Sequence, residues 1–259
     1  MNTCPLNEKL LKSFVQNHSS FFNNIIYYKN IDSTNIEAFR IANKNEGNFI
    51  IISDYQSAGK GQFNRKWFSP ECENLYFSLV IKDKIHFKNS LLVITTASTV
   101  IKTLSQYNIN AFIKWPNDII VKKKKICGIL IEEKYNKNIR DLIVIGIGIN
   151  INTNFKKIKE LKRIAISVAQ LLKRNISREE FFIKFLQNFE NELKRIQICQ
   201  EEIFNFYLKY LYKLNKKIKF KTGTKLIKGI LSGVDKNGSI ILKNREGEHY
   251  FTTGEIILN

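Results

Sequence analysis

The chain has only four cysteines in 259 residues, Cys4, Cys72, Cys127 and Cys199, and no two of them form a CxxC pair. That spacing excludes the common zinc frameworks. It predicts unpaired thiols and a reducing, cytoplasmic setting. No apolar run reaches the ~20 residues that a membrane helix needs, so no membrane partner is expected. The first 17 residues lack an apolar stretch followed by small residues, so no secretory signal is expected. Internal repeats and low-complexity linkers are also missing. Acidic residues are scarce, 23 against 42 basic ones, which leaves a net charge of +19. Such a charge attracts anionic partners. The lysines are spread along the chain, however, and only residues 122–125 form a tight run. The charge therefore reads chiefly as biased composition, and no specific DNA partner is expected.

A hydrophobic content of 44% supports one sizeable core and a small satellite domain. Leu10, Leu11, Phe14 and Val15 fall at helical spacing in residues 8–22. Residues 25–28 and 48–54 read as strands. Between them Thr34 and Glu37 fit a capping box that opens a helix to about residue 43. Residues 75–81 form a further strand and 90–106 a helix. Strands follow at 111–114, 119–121, 126–133 and 142–151, then a helix at 164–172. Ser177 and Glu180 fit a second capping box, opening one long helix or two, with Phe182, Phe185, Phe189, Leu193 and Ile196 on the buried face. From about residue 216 the pattern changes to short strands, with turns at Thr222-Gly223 and Asn237-Gly238. The expected division is residues 1–214 and a small β-barrel at 215–259, packed on the larger part.

Three segments carry chemistry. The first runs from Tyr55 to Pro70, after a buried strand. Gly59 and Gly61 permit close backbone approach, and Lys60, Arg65 and Lys66 bring three positive charges together. A flexible basic loop after a strand suits a phosphate, although no GxxxxGK[ST] is present; a solvated surface loop is the alternative. The second is Lys114-Trp115-Pro116-Asn117-Asp118, followed by two apolar runs with lysines at the bend between them. The Asp118 carboxylate could hold a magnesium ion or polarise an amine. The third is Gly146-Ile147-Gly148-Ile149-Asn150, in which GxG within a strand allows close approach. Without a third glycine and a following helix it is not a dinucleotide fingerprint.

In order and spacing these segments resemble the biotin–protein ligases. That family has a GRGRxxRxW-type loop, a KWPND turn, a lysine with a glycine close behind it, and a GIN strand. They correspond here to Gly59 through Trp67, Lys114 through Asp118, Lys125 with Gly128, and Gly148 through Asn150. Ser33-Thr34-Asn35 matches the family's Ser-Thr-Asn. The resemblance covers residues 25–151 and continues more faintly into the C-terminal part.

The resemblance implies an α+β fold: a class II synthetase-like catalytic domain with a mixed or antiparallel sheet and flanking helices, plus a C-terminal SH3-like barrel. It implies ATP and biotin as substrates, Mg2+ with the ATP, and a biotin carboxyl carrier domain of a carboxylase as partner. Ser33, Thr34, Asn35 and Gln56 would line the biotin pocket. Gly59, Lys60, Gly61 and Gln62 would close over biotin and the phosphates, with Lys125 and Gly128 beside them. Trp67 would cover the adenine, and Arg65, Asn117, Asp118 and Asn150 would lie on the nucleotide. Lys125 and Lys60 would stabilise developing charge, and Asp118 would act on the attacking amine.

The loop departs from the family pattern at two places. Lys60 and Gln62 stand where arginines are usual, so one bidentate fork and one charge are lost. Because the arginine at the second place helps to retain the adenylate, faster leakage is expected here. The segment before residue 25 is too short for a helix-turn-helix domain, so a ligase-only form is expected; a homodimer remains open. A lipoate–protein ligase would show a different glycine-arginine motif and no Lys-Trp-Pro-Asn-Asp. A basic nucleic-acid-binding module would need aromatic stacking residues that the barrel segment does not show.

Overall fold

A computed structural model describes residues 4–82, 88–136, 139–196 and 198–258. In chain order the elements are α1 (Glu8–His18), β1 (Asn24–Ile31), α2 (Thr34–Ile41), β2 (Phe49–Gln56), β3 (Leu75–Ile81), α3 (Asn89–Ser105), β4 (Phe112–Lys114), β5 (Asp118–Val121), β6 (Lys124–Asn136) and β7 (Ile139–Ile149). There follow α4 (Val168–Leu172), α5 (Arg178–Ile196), α6 (Gln200–Lys209), β8 (Lys217–Thr222), β9 (Lys225–Val234), β10 (Ile240–Asn244), β11 (Gly247–Phe251) and β12 (Glu255–Ile256). They form two compact units, Met1–His86 with Lys124–Glu190, and Phe87–Lys123 with Asn191–Asn259. Among the described residues no helix is long and apolar enough to cross a membrane.

The first unit is built on strands in the order β1-β2-β3-β7-β6. β1 runs parallel to β2, and the other pairs are antiparallel. Successive side chains alternate between faces, and the two faces differ in kind. One face carries Ile50, Ile52, Phe77, Leu79, Ile145, Ile147 and Ile149, all buried. Phe181, Phe182, Phe185 and Phe189 of α5 are buried too, and Phe77 meets both Phe182 and Phe185 edge-on at 5.1 Å. The other face is apolar at one end, where Ala38 and Ala42 pack with Phe49, Ile51, Val80 and Val144. Towards its other end it changes to Ser78, Gly146, Gly148 and Gly128.

In the second unit β4 and β5 form an antiparallel hairpin, and β11-β10-β9-β8-β12 form an antiparallel five-stranded sheet. As expected, the barrel segment packs on earlier residues: Trp115 Nε1 donates to Gly238 O at 2.9 Å, and its ring lies 5.8 Å from Phe220. The Asn237-Gly238 turn takes a left-handed glycine, φ 85°, which only glycine adopts without strain.

Three expectations fail. Cys4 and Cys72 are disulfide-bonded, while Cys127 and Cys199 are not. The fold brings together two cysteines 68 residues apart, which sequence spacing does not reveal, so cysteine usage no longer argues for a reducing compartment. The helix expected at 164–172 exists only as α4, because Ile164 O and Ile166 N hydrogen-bond the Lys125 backbone instead. Thr34 is not a cap: Ser33 takes that position with no side-chain capping bond, and the Thr34 hydroxyl goes to Gln56. At the second box Glu180 N does donate to Ser177 Oγ, but the Glu180 carboxylate pairs with Lys184.

The back of β2 is anchored by an ion pair with no exposed surface, Arg178 Nη1 to Asp54 Oδ1 at 2.6 Å. Tyr27 Oη and Leu6 N donate to the other carboxylate oxygen at 2.6 and 3.2 Å. Burial, and then the bond to Asp54, push the Tyr27 phenol well above its ordinary pKa. Removing one partner of such a pair leaves a buried charge that costs about 3–5 kcal/mol. Arg178→Met is therefore expected to lower the urea-unfolding free energy by about that amount. A loss below about 1 kcal/mol, the range of a surface pair, would contradict the assignment.

Candidate active site

The site face of the first unit begins with a missing atom. Gly128 of β6 and Gly148 of β7 stand opposite each other in the ladder. A Cβ built on Gly148 would lie 2.6 Å from Trp67 Nε1 and 2.7 Å from Trp67 Cζ2. One built on Gly128 would meet Trp67 Cζ3 and Lys125 Cε, both at 2.9 Å. These positions must be glycine because the Trp67 indole lies against the strand backbones there. Lys125 Nζ sits 4.9 Å from the centre of the Trp67 ring, within range of a cation–π contact. Trp67 Nε1 is buried and has no hydrogen-bond partner among the described residues. A buried unpaired donor costs about 1–3 kcal/mol, a cost that a ligand acceptor would remove.

Two hydrogen-bond networks stiffen the walls. Gln56 Oε1 accepts from Thr34 N at 3.0 Å and Thr34 Oγ1 at 3.2 Å, and Gln56 Nε2 donates to Ser69 Oγ at 3.1 Å. One side chain thus joins the start of α2 to the far end of the loop. Gly59 is packed into the same corner, where a Cβ would lie 2.8 Å from Ser69 Oγ and 2.9 Å from Gln56 Nε2. Asn35 Oδ1 accepts from Ser78 Oγ at 2.6 Å, and Asn35 Nδ2 donates to Glu132 at 2.7 Å. Gly146 leaves room for that amide: a Cβ would lie 2.8 Å from Asn35 Cγ. Ser33 is buried at the N-cap. Beside it Asp32 accepts from Ser33 N and from Arg40. Burial raises the Asp32 pKa, but these bonds outweigh it and hold the carboxyl below its ordinary range.

The basic loop is a small closed hairpin. Trp67 N donates to Gly59 O at 2.8 Å and Gly61 N to Arg65 O at 2.7 Å. Lys60 and Lys66 stand opposite one another at its neck, and Gln62 opens the turn. Phe63 at the tip is 67% exposed, with φ 57° and the Arg65 guanidinium 5.9 Å from its ring. Lys60, Lys66 and Arg65 are all exposed.

Asn150 follows β7 and is buried, its amide donating to Lys125 O. The structure therefore gathers Ser33, Thr34, Asn35, Gln56, the 59–67 loop, Lys125, Gly128 and Asn150 in one unit. Asn117, in the β4–β5 turn, and Asp118, the first residue of β5, belong to the other unit, with the Asp118 carboxylate 3.9 Å from Lys114 Nζ. Sequence reasoning singled out none of Ser69, Ser78, Glu132 and Gly146, although Ser69 and Gly146 lie in its first and third segments. Only Gly146 left a signal, a glycine repeated at strand period.

Residues 27–150 match the Biotin/lipoate A/B protein ligase family, and residues 213–259 match the Biotin protein ligase C terminal domain. The chain is 31% identical to the bifunctional ligase/repressor BirA of Bacillus subtilis, over 86% of this chain and 70% of the relative. It is 26% identical to the biotin–[acetyl-CoA-carboxylase] ligase of Paracoccus denitrificans, over 87% and 96%. Its fold is similar to that of the biotin protein ligase of Aquifex aeolicus in complex with biotin and ATP, with a TM-score of 0.79, 28% identity, and coverage of 92% and 99%.

The glycine floor makes a specific prediction. In a Trp115→Phe background, Gly148→Ala is expected to expose Trp67 to acrylamide quenching. Gly128→Ala is expected to do so less, because the mobile end of Lys125 shares its contact. Unchanged quenching in Gly148→Ala would show that the indole does not rest on the strand.

Proposed function

We propose how the residues of this chain, which belongs to the biotin protein ligase family, carry out that family's reaction. The chain is an ATP-dependent ligase that activates biotin and transfers it to a carrier protein. In the first step the biotin carboxylate attacks the α-phosphorus of ATP, and pyrophosphate leaves. In the second the carrier lysine attacks the mixed anhydride, and AMP leaves.

The observation that carries the assignment is the meeting of Lys125, Trp67 and the Gly128–Gly148 floor. The first nucleophile is already an anion, so catalysis rests on alignment and charge stabilisation rather than on a base. Lys125, on the floor, neutralises charge at the reacting carboxylate and α-phosphate, and Lys60 does so from the loop. Trp67 covers the adenine, and its buried N–H finds an acceptor in the bound substrate. Ser33, Thr34, Asn35 and Gln56 form the biotin wall. The two networks that hold them supply the rigidity that such a site requires. Gly59, Gly61 and Gln62 close over the substrates. Arg65, Asn117 and Asn150 complete the nucleotide set.

Asp118 acts on the carrier amine in the second step, which needs the neutral form. Mg2+ arrives with ATP and offsets phosphate charge. The carrier is a biotin carboxyl carrier domain of a carboxylase, supported by the activity named for the Paracoccus relative. A need for ATP supports a cytoplasmic setting. The catalytic part spans 1–214 and the barrel 215–259, supported by the separate matches of the two segments.

Biotin-dependent ATP–pyrophosphate exchange tests the site through Lys125→Ala. Exchange is expected with biotin and not with lipoate, and the variant is expected to lose most of it. Full exchange in Lys125→Ala would remove the assignment. Gln62→Arg is expected to slow release of biotinyl-AMP, measured directly in the absence of carrier. Unchanged release would remove the expectation of faster leakage.

A further inference from the structure

Lys125 is the second residue of β6, and its ladder partners in β7 begin only at Cys127. A residue at a strand end is free to fray unless something else holds it. Here both backbone polar groups are bonded to one neighbouring segment. Lys125 N donates to Ile164 O at 2.8 Å, and Lys125 O accepts from Ile166 N at 3.0 Å. A third bond comes from a side chain. Asn150 Nδ2 donates to Lys125 O at 3.1 Å and to Ile166 O at 3.2 Å.

Asn150 is itself fixed. Its N–H donates to Ile126 O at 2.8 Å, its carbonyl accepts from Val168 N at 3.0 Å, and it is 4% exposed. It stands one residue beyond the end of β7, next to the start of β6. From there one amide group ties two separate segments, the start of β6 and residues 164–168. The residue type fits that task. Two carbonyls converge on one nitrogen with two N–H bonds; an aspartate offers no donor, and a serine hydroxyl offers only one.

We propose that Asn150 is a positioning residue for Lys125: its side-chain amide holds the lysine's backbone so that the ammonium stays over Trp67. This rests on the reading of Lys125 as the charge-stabilising group, and it adds a role to the nucleotide contact assigned to Asn150 above. Displacing a reacting group by about 1 Å costs about 10²-fold in rate. Asn150→Ala is therefore expected to lower kcat for biotin-dependent exchange by about that factor, with a smaller change in KM for ATP.

The decisive test is a double-mutant cycle with Lys125→Ala. Residues that act as a unit give non-additive losses. The Asn150→Ala/Lys125→Ala double variant is expected to be no slower than Lys125→Ala alone, within about twofold. A double variant slowed by the product of the two single effects overturns the proposal, because Asn150 then acts independently of Lys125. So does an Asn150→Ala variant in which only KM for ATP rises. Full exchange in Lys125→Ala overturns the reading of Lys125 and the proposal together. Lys125 O keeps its bond from Ile166 N in Asn150→Ala, so that carbonyl stays paired. Asn150→Leu, of similar size but without the donor or a charge, supplies a second cycle with the same expected non-additivity.

Discussion

The site depends on a pair of absent side chains. Where Gly128 faces Gly148 the sheet has no Cβ atoms, and an indole and a lysine chain occupy the space that ordinary residues would fill. A glycine in a strand interior weakens the strand. That cost is met on the opposite face, where Cys127, Ile129, Ile147 and Ile149, the neighbours of these glycines, are all buried. The same two strands therefore carry the indole and the lysine on one side and hold the core on the other. Alternation of side chains is the device that permits both.

Rigidity around the floor comes from polar groups whose partners lie far away in sequence. Gln56 links α2 to Ser69, Asn35 links α2 to Ser78 and Glu132, and Asn150 links two strand ends to residue 166. Beneath β2, Asp54 gathers Arg178, Tyr27 and the N-terminal segment into one buried cluster. The Cys4–Cys72 bond ties that same segment to the turn that follows the basic loop. Each of these ties joins segments that lie far apart in the sequence.

Much of the framework was legible because its cause is local. The run Leu75–Ile81 reads as a buried strand and is one to the residue. The turn at Asn237-Gly238 follows from glycine's freedom at positive φ. The loop glycines and the Lys-Trp-Pro-Asn-Asp turn were legible through resemblance. What stayed hidden is non-local. Thr34 has the sequence of a cap, but its hydroxyl found a better partner in Gln56, 22 residues away. Residues 164–166 have helical spacing, but the start of β6 took their backbone. No spacing rule joins Cys4 to Cys72, or marks Glu132 as the partner of an asparagine 97 residues earlier.

On this reading the nucleotide binds against the tryptophan-covered floor. Its most direct test is an ATP titration of the Trp115→Phe chain, with emission from Trp67 read alongside calorimetry. A saturable change in Trp67 emission is expected, with the midpoint that calorimetry gives. Calorimetric binding of ATP with Trp67 emission unchanged would contradict it.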